Sequence, residues 1–124
     1  MYKSDEALKA LGNEVIRSCM PNLADVRIAY MRSDKAKKTG SKVVFADCEK
    51  LSDKLCALTG IDFVITFYAD SEELTMVGHR ILMEHELKHV GWDGEHKSII
   101  PHDVDEFRDI IEKYGLDWQR EVDA

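Results

Sequence analysis

IDFVITFYADSEELTMVGHRILMEHELKHVG, residues 61–91, joins the strongest strand signal in the chain directly to a long helical pattern. Residues 61–68 are β-branched or aromatic almost throughout, which reads as a strand. Asp70-Ser71-Glu72-Glu73 has the form of an Asp-x-x-Glu capping box, in which the Asp carboxylate accepts orphan backbone N–H groups and the Glu reaches back. From 72 to 90 there is no proline, Gly78 is the one weak helix former, and Leu74, Val77, Ile81, Leu82 and Leu87 recur at helical spacing. Gly91 supplies a stop. The spacing therefore predicts a helix of about five turns, with His85-Glu86-Leu87-Lys88-His89 in its last two turns.

Two imidazoles four residues apart share one helix face and can grip one metal ion. At about 100° per residue, His85 and His89 differ by about 40°, and Glu86 lies about 60° from His89. Its carboxylate can then reach an attacking water without itself becoming a ligand. The chemistry this pattern serves is zinc-dependent hydrolysis, with Zn2+ as cofactor. A bland alternative is a solvated amphipathic face, with Glu84 and Lys88 forming a weak i,i+4 pair. Two histidines at metal spacing weigh against it. His79, six residues before His85 and on another side of the helix, is left out of the site.

A catalytic zinc needs three protein ligands and one open position. In the pattern HExxHxxGxxH, Trp92 would hold the glycine position and Glu95 the final ligand position, so that arrangement fails, and His96 comes one residue later. A carboxylate from a following helix would nominate Glu106 or Glu112. His102 is favoured: it follows Pro101 at the mouth of a last helix, where a neutral ring suits a helix N-terminus and Asp103 is available as a cap or as hydrogen-bond acceptor behind the ligand. No oxyanion-stabilising residue is singled out among Tyr68, Arg80, His96 and Tyr114.

The surroundings predict one α+β domain spanning residues 1–124. Residues 4–19 carry Ala7, Leu8, Leu11, Val15 and Cys19 on one stripe, giving an N-terminal helix that ends before Pro21. Val26, Ile28 and Tyr30 then alternate with other residues, and 42–48 is β-rich, so these two runs are expected to pair as a hairpin with the Lys35–Lys38 basic run at its solvated tip. A short helix is expected after Ser52 and a short strand at 98–100. A C-terminal helix is expected between the Asp103–Glu106 box and Gly115, with Val104, Phe107, Ile110, Ile111 and Tyr114 as its apolar stripe. The sheet should be small, mixed or antiparallel, of three to four strands.

Composition excludes some function classes. No apolar run approaches a membrane span, and the N-terminus is charged and helical in pattern, unlike a secretory signal, so cytoplasmic location is expected, in the host cytoplasm if the chain is phage-encoded. A formal charge of −7 argues against general nucleic-acid binding. Cys19, Cys48 and Cys56 are an odd number without CxxC spacing, which indicates reduced thiols, largely in the core.

DFVITFY at 62–68, HELKHVGWDG at 85–94, PHDVDEF at 101–107 and YGLDW at 114–118 together resemble the small phage metallopeptidases, single-domain zincins in which a strand precedes HExxH and a PHDVxxF element follows. The likeness covers residues 25–118, and PHDVDEF with YGLDW is its more specific part. It implies a minimal zincin-like fold, zinc at His85, His89 and His102, and Glu86 as catalytic base. The expected partner is a peptide or protein substrate, with 61–68 as a strand whose edge could bind it. Two other classes compete. HVGWDGEH is similar to the motif of a bacterial zinc endoribonuclease family, with an extra residue in the spacing. A non-catalytic zinc-stabilised protein-binding module would instead close the site with four ligands.

Overall fold

The computed structural model describes residues 1–101. His102, Asp103, Glu106, Glu112 and the expected C-terminal helix lie outside the described residues. The fold is mixed α+β, as the sequence patterns predict, and its centre is the apolar run at 61–68.

That run forms β6 (Phe63–Phe67), in which Phe63, Ile65 and Phe67 are fully buried and Thr66 nearly so. A strand that is buried on both faces belongs in the middle of a sheet. It pairs in parallel with β2 (Ile28–Ser33), in the register Ile28↔Phe63 to Arg32↔Phe67, and antiparallel with β5 (Ala46–Lys50), in the register Ala46↔Phe67 to Lys50↔Phe63. The N-terminal β1 (Tyr2–Ser4) adds to the far side of β2, giving the order β1-β2-β6-β5. The expected hairpin between the first strand and 42–48 is therefore not formed, because β6 lies between β2 and β5. The basic run opens a separate hairpin, β3 (Lys37–Thr39) with β4 (Lys42–Val44). Its two-residue loop starts at Gly40, whose φ of 63° suits the primed turns that match strand twist.

One face of the sheet is covered by two helices. α1 (Glu6–Cys19) starts at Asp5, whose carboxylate accepts the Leu8 N–H at 2.9 Å, and it buries Leu8, Val15 and Ile16. Gly12 lets α1 approach β2, since a Cβ there would stand 2.4 Å from the Tyr30 hydroxyl. α2 (Asp53–Thr59) follows the Ser52 cap, as expected, and stops at Gly60, whose φ is 73°. α3 (Met76–Leu87) carries the histidine motif and is tied to α1 by Arg80, which donates to Glu14 at 2.9 Å and to Ser18 at 3.3 Å.

α3 is shorter than the sequence predicts. The Asp70–Glu73 box is spent on a 3-10 turn, Ala69–Glu73, where the buried Ser71 hydroxyl donates to the Tyr68 carbonyl at 2.6 Å. Leu74 is then extended, at φ −74° and ψ 146°, which puts its side chain into the core and breaks the helical path. Thr75 becomes the cap, accepting the Gly78 N–H at 3.2 Å. The helix also stops before Gly91. Lys88 is its C-cap, and the chain turns into a second hairpin, β7 (Val90–Trp92) with β8 (Lys97–Ile99). Gly91 serves that hairpin, where a Cβ would come within 2.3 Å of Ser98 Oγ. Among the described residues no helix is long and apolar enough to cross a membrane.

Candidate metal centre

The end of α3 is polar and yet buried. Ile81, Leu82, Met83 and Leu87 face the core, but Glu84, His85 and Glu86, and His89 just past the helix, are each less than a tenth exposed. A solvated amphipathic face would leave such residues in water, and ionisable side chains are seldom buried unless paired or ligating. The burial overturns the surface-helix alternative.

The local fold brings the two histidines together. The last turn tightens, with the His89 N–H donating to the Glu86 carbonyl at 3.0 Å. The His85 and His89 rings stand edge to face with centroids 5.3 Å apart. Imidazoles bound head-on to one tetrahedral zinc would have centroids about 5.2 Å apart, so the separation suits a shared ion. His89 Nδ1 lies 2.6 Å from the Ile100 carbonyl oxygen. A carbonyl can only accept, so Nδ1 donates this hydrogen bond, and in the neutral ring Nε2 is then the nitrogen with the lone pair. Ligating histidines are commonly oriented by such a bond. The donor set, two buried imidazoles with one tautomer fixed, fits a borderline-soft dication such as Zn2+.

Glu86 lies near enough to β5 for its charge to act on Cys48. Cys48, on the helix-facing side of β5, has its thiol pushed up to about 12 by burial, with the Glu86 charge adding to the effect. Asp47 alternates with Cys48 and so lies on the opposite face, where it accepts the Tyr68 hydroxyl at 2.8 Å and pairs with Lys37. Tyr68 is thereby removed from the candidates for oxyanion stabilisation, and Arg80 is engaged with α1 on the surface. His79 stacks on Phe67 at 5.9 Å and its Nδ1 lies 2.9 Å from the Thr75 carbonyl, an intrahelical bond that agrees with leaving it out of the site.

The third ligand is not found within 1–101. Among the described residues no set of three His, Cys, Asp or Glu side chains could hold a metal ion. His96 is corrected as a ligand candidate: it sits at the tip of the β7–β8 hairpin, four-fifths exposed, with its backbone N–H held by Asp93 Oδ1 at 2.6 Å. The strand expected to bind substrate is also corrected, because both edges of β6 are taken by β2 and β5. The edge strand beside the motif is β5. Sequence reasoning also missed the hairpin that supplies the Ile100 carbonyl, although its signal was present: Asp93-Gly94, with φ of 97° at Gly94, is a strong hairpin dipeptide between two short runs.

A family model described as "Putative phage metallopeptidase" matches residues 1–124. The chain belongs to this family. The match extends beyond the 25–118 covered by the resemblance of motifs. Neither a curated protein nor a solved structure matches the chain. The family's description implies a metal, and the described residues bring two buried imidazoles together at His85 and His89.

Proposed function

We propose that this protein is a zinc-dependent peptidase in which His85, His89 and His102 hold the metal and Glu86 is the general base. The observation that supports the reading is the pairing of two buried imidazoles, His85 and His89, with ring centroids 5.3 Å apart and His89 Nδ1 held 2.6 Å from the Ile100 carbonyl oxygen. The same bond supports His102. His102 follows Ile100 by two positions in the sequence, and Ile100 is the residue whose carbonyl is tied to His89. Asp103 would follow as the hydrogen-bond acceptor behind that ligand.

Bound zinc would lower the pKa of water and polarise a scissile carbonyl. Glu86 would take the attacking water's proton and deliver it to the leaving amine. Its burial, at 4% exposed, strengthens that proton transfer by excluding bulk solvent. β5 is hydrogen-bonded to β6 on one side, and its other edge has no strand partner among the described residues. An extended peptide could pair there, next to Glu86.

The test measures zinc content together with cleavage of an unfolded protein substrate, read by mass spectrometry. Glu86→Gln should retain zinc and lose at least about 100-fold in turnover, the scale of a general base. His102→Ala should lose zinc, and His96→Ala should keep it. Undiminished cleavage by Glu86→Gln, or cleavage of RNA and not of peptide, would overturn the proposal.

A further inference from the structure

The acceptor that orients His89 belongs to the less securely buried half of its hairpin. β7 is anchored by Val90, which is 4% exposed, but β8 and Ile100 lie at the surface, with Ile99 and Ile100 at 39% and 42%. Each strand has three residues, and an isolated two-stranded ribbon is marginal in water. The Ile100 N–H donates to the His89 carbonyl at 2.8 Å, and a polar anchor on β8 adds to this bond in keeping the Ile100 carbonyl 2.6 Å from His89 Nδ1.

Asp62 supplies such an anchor. It lies just before β6, and its backbone is fixed on both sides, its N–H donating to the Arg27 carbonyl at 2.7 Å and its carbonyl accepting from Leu51 at 2.9 Å. The side chain is 1% exposed. Oδ2 accepts the Arg27 backbone N–H at 3.0 Å and Nε at 3.3 Å, and Oδ1 accepts Arg27 Nη2 at 3.1 Å. Oδ1 also accepts Lys97 Nζ, at 2.9 Å, and Lys97 is the first residue of β8. Its ammonium lies 5.4 Å from the centre of the Trp92 ring across the hairpin, so the same charge holds the two strands in register. Three residues further on is the carbonyl that accepts the hydrogen bond from His89 Nδ1.

We infer that the pair between buried Asp62 and partly exposed Lys97 is a positioning device for the proposed metal ligand His89, acting through β8 and the Ile100 carbonyl. Arg27 provides the contrast that isolates this role: it shares the Asp62 carboxylate but ties it to β2 and not to the hairpin. If the pair serves stability alone, loss of Lys97 and loss of Arg27 should have the same consequences. If it positions His89, only the loss of Lys97 should reach the metal centre.

The inference rests on the zinc reading, and its test separates the two. Wild type, Lys97→Met, Lys97→Arg and Arg27→Met are compared in the full chain, each checked for cooperative unfolding. Nitrogen-resolved NMR of the metal-stripped protein reads the hydrogen-bonded His89 Nδ1–H directly, and titration with Co2+ reads ligand-field absorption and affinity. Lys97→Met should broaden or lose the ring N–H signal and weaken Co2+ binding by roughly tenfold or more, the scale of losing a partner behind a ligand. Arg27→Met should preserve both, and Lys97→Arg should restore them. An unchanged ring N–H in Lys97→Met, or equal damage in Arg27→Met, would overturn the inference. A wild type that takes up no Co2+ or Zn2+ would overturn the metal reading, while the ring signal would still decide whether Lys97 positions His89.

Discussion

Cys48 shows how far a single environment departs from what residue type suggests. A thiol reacts as thiolate, and burial beside Glu86 keeps this one protonated, its pKa pushed up to about 12. Cys19, in the last turn of α1, is exposed, contrary to the expectation of a core residue, because the helix ends at the surface before Pro21. At pH 8 a disulfide-exchange reagent should modify Cys19 in the native protein much faster than the partly exposed, protonated Cys48, as peptide mapping would report. Equal native labelling of both would show that Cys48 does not face the helices from β5 as described. Glu86 is 4% exposed, so the reactivity of Cys48 also reports on whether the Glu86 carboxylate is shielded from bulk water.

The start of α3 turns on which of two caps the chain uses. Both Asp70 and Thr75 are good N-cap types, but only Thr75 accepts from the helix, while Asp70 lies in the preceding 3-10 turn. Thr75→Ala should cost about 1 kcal/mol in urea unfolding and Asp70→Ala well under half of that. The reverse order would put the helix start back at the Asp-x-x-Glu box. The sequence pattern could not separate them, because the deciding event is tertiary: Leu74 is drawn into the core in an extended conformation, and helical periodicity by itself would keep it in the helix. The elements whose signals are local were legible, including β6, α1 with its stop, α2 between Ser52 and Gly60, and β8. Strand pairing was not. β2 and β5 look like hairpin partners in sequence, and only the need to bury both faces of Phe63–Phe67 places β6 between them. The spacing of His85, Glu86 and His89 predicts that they sit together at the end of α3, and the structure buries all three there, whereas the acceptor beside His89 is a backbone carbonyl at Ile100, which carries no residue-type signal.

Across the molecule, the Asp62 carboxylate joins three parts that would otherwise meet only through the core: β2 through Arg27, the turn into β6 through its own backbone, and the β7–β8 hairpin through Lys97. Burial by itself would raise its pKa, but the hydrogen bonds from Arg27 and Lys97 outweigh that cost and hold it at about 2. An unfolded aspartate titrates near 3.9, so the folded state binds this proton less readily than the unfolded state. The stabilisation is fully present above about pH 5 and is lost as the pH falls through about 4 towards 2, a change on the order of 2 kcal/mol, reduced by the solvent screening of the half-exposed Arg27. Asp62→Asn cannot titrate and should lack this component. In the presence of chelator, to keep metal binding out of the comparison, the difference in unfolding free energy between wild type and Asp62→Asn should shrink by up to about 2 kcal/mol between pH 5 and pH 2. A difference that stays constant over that range would mean that Asp62 is not the charged clamp joining the sheet to the hairpin. If it does shrink, the hairpin that orients His89 should loosen over the same range, and the His89 ring N–H signal of the metal-stripped protein should fade with the wild-type stability.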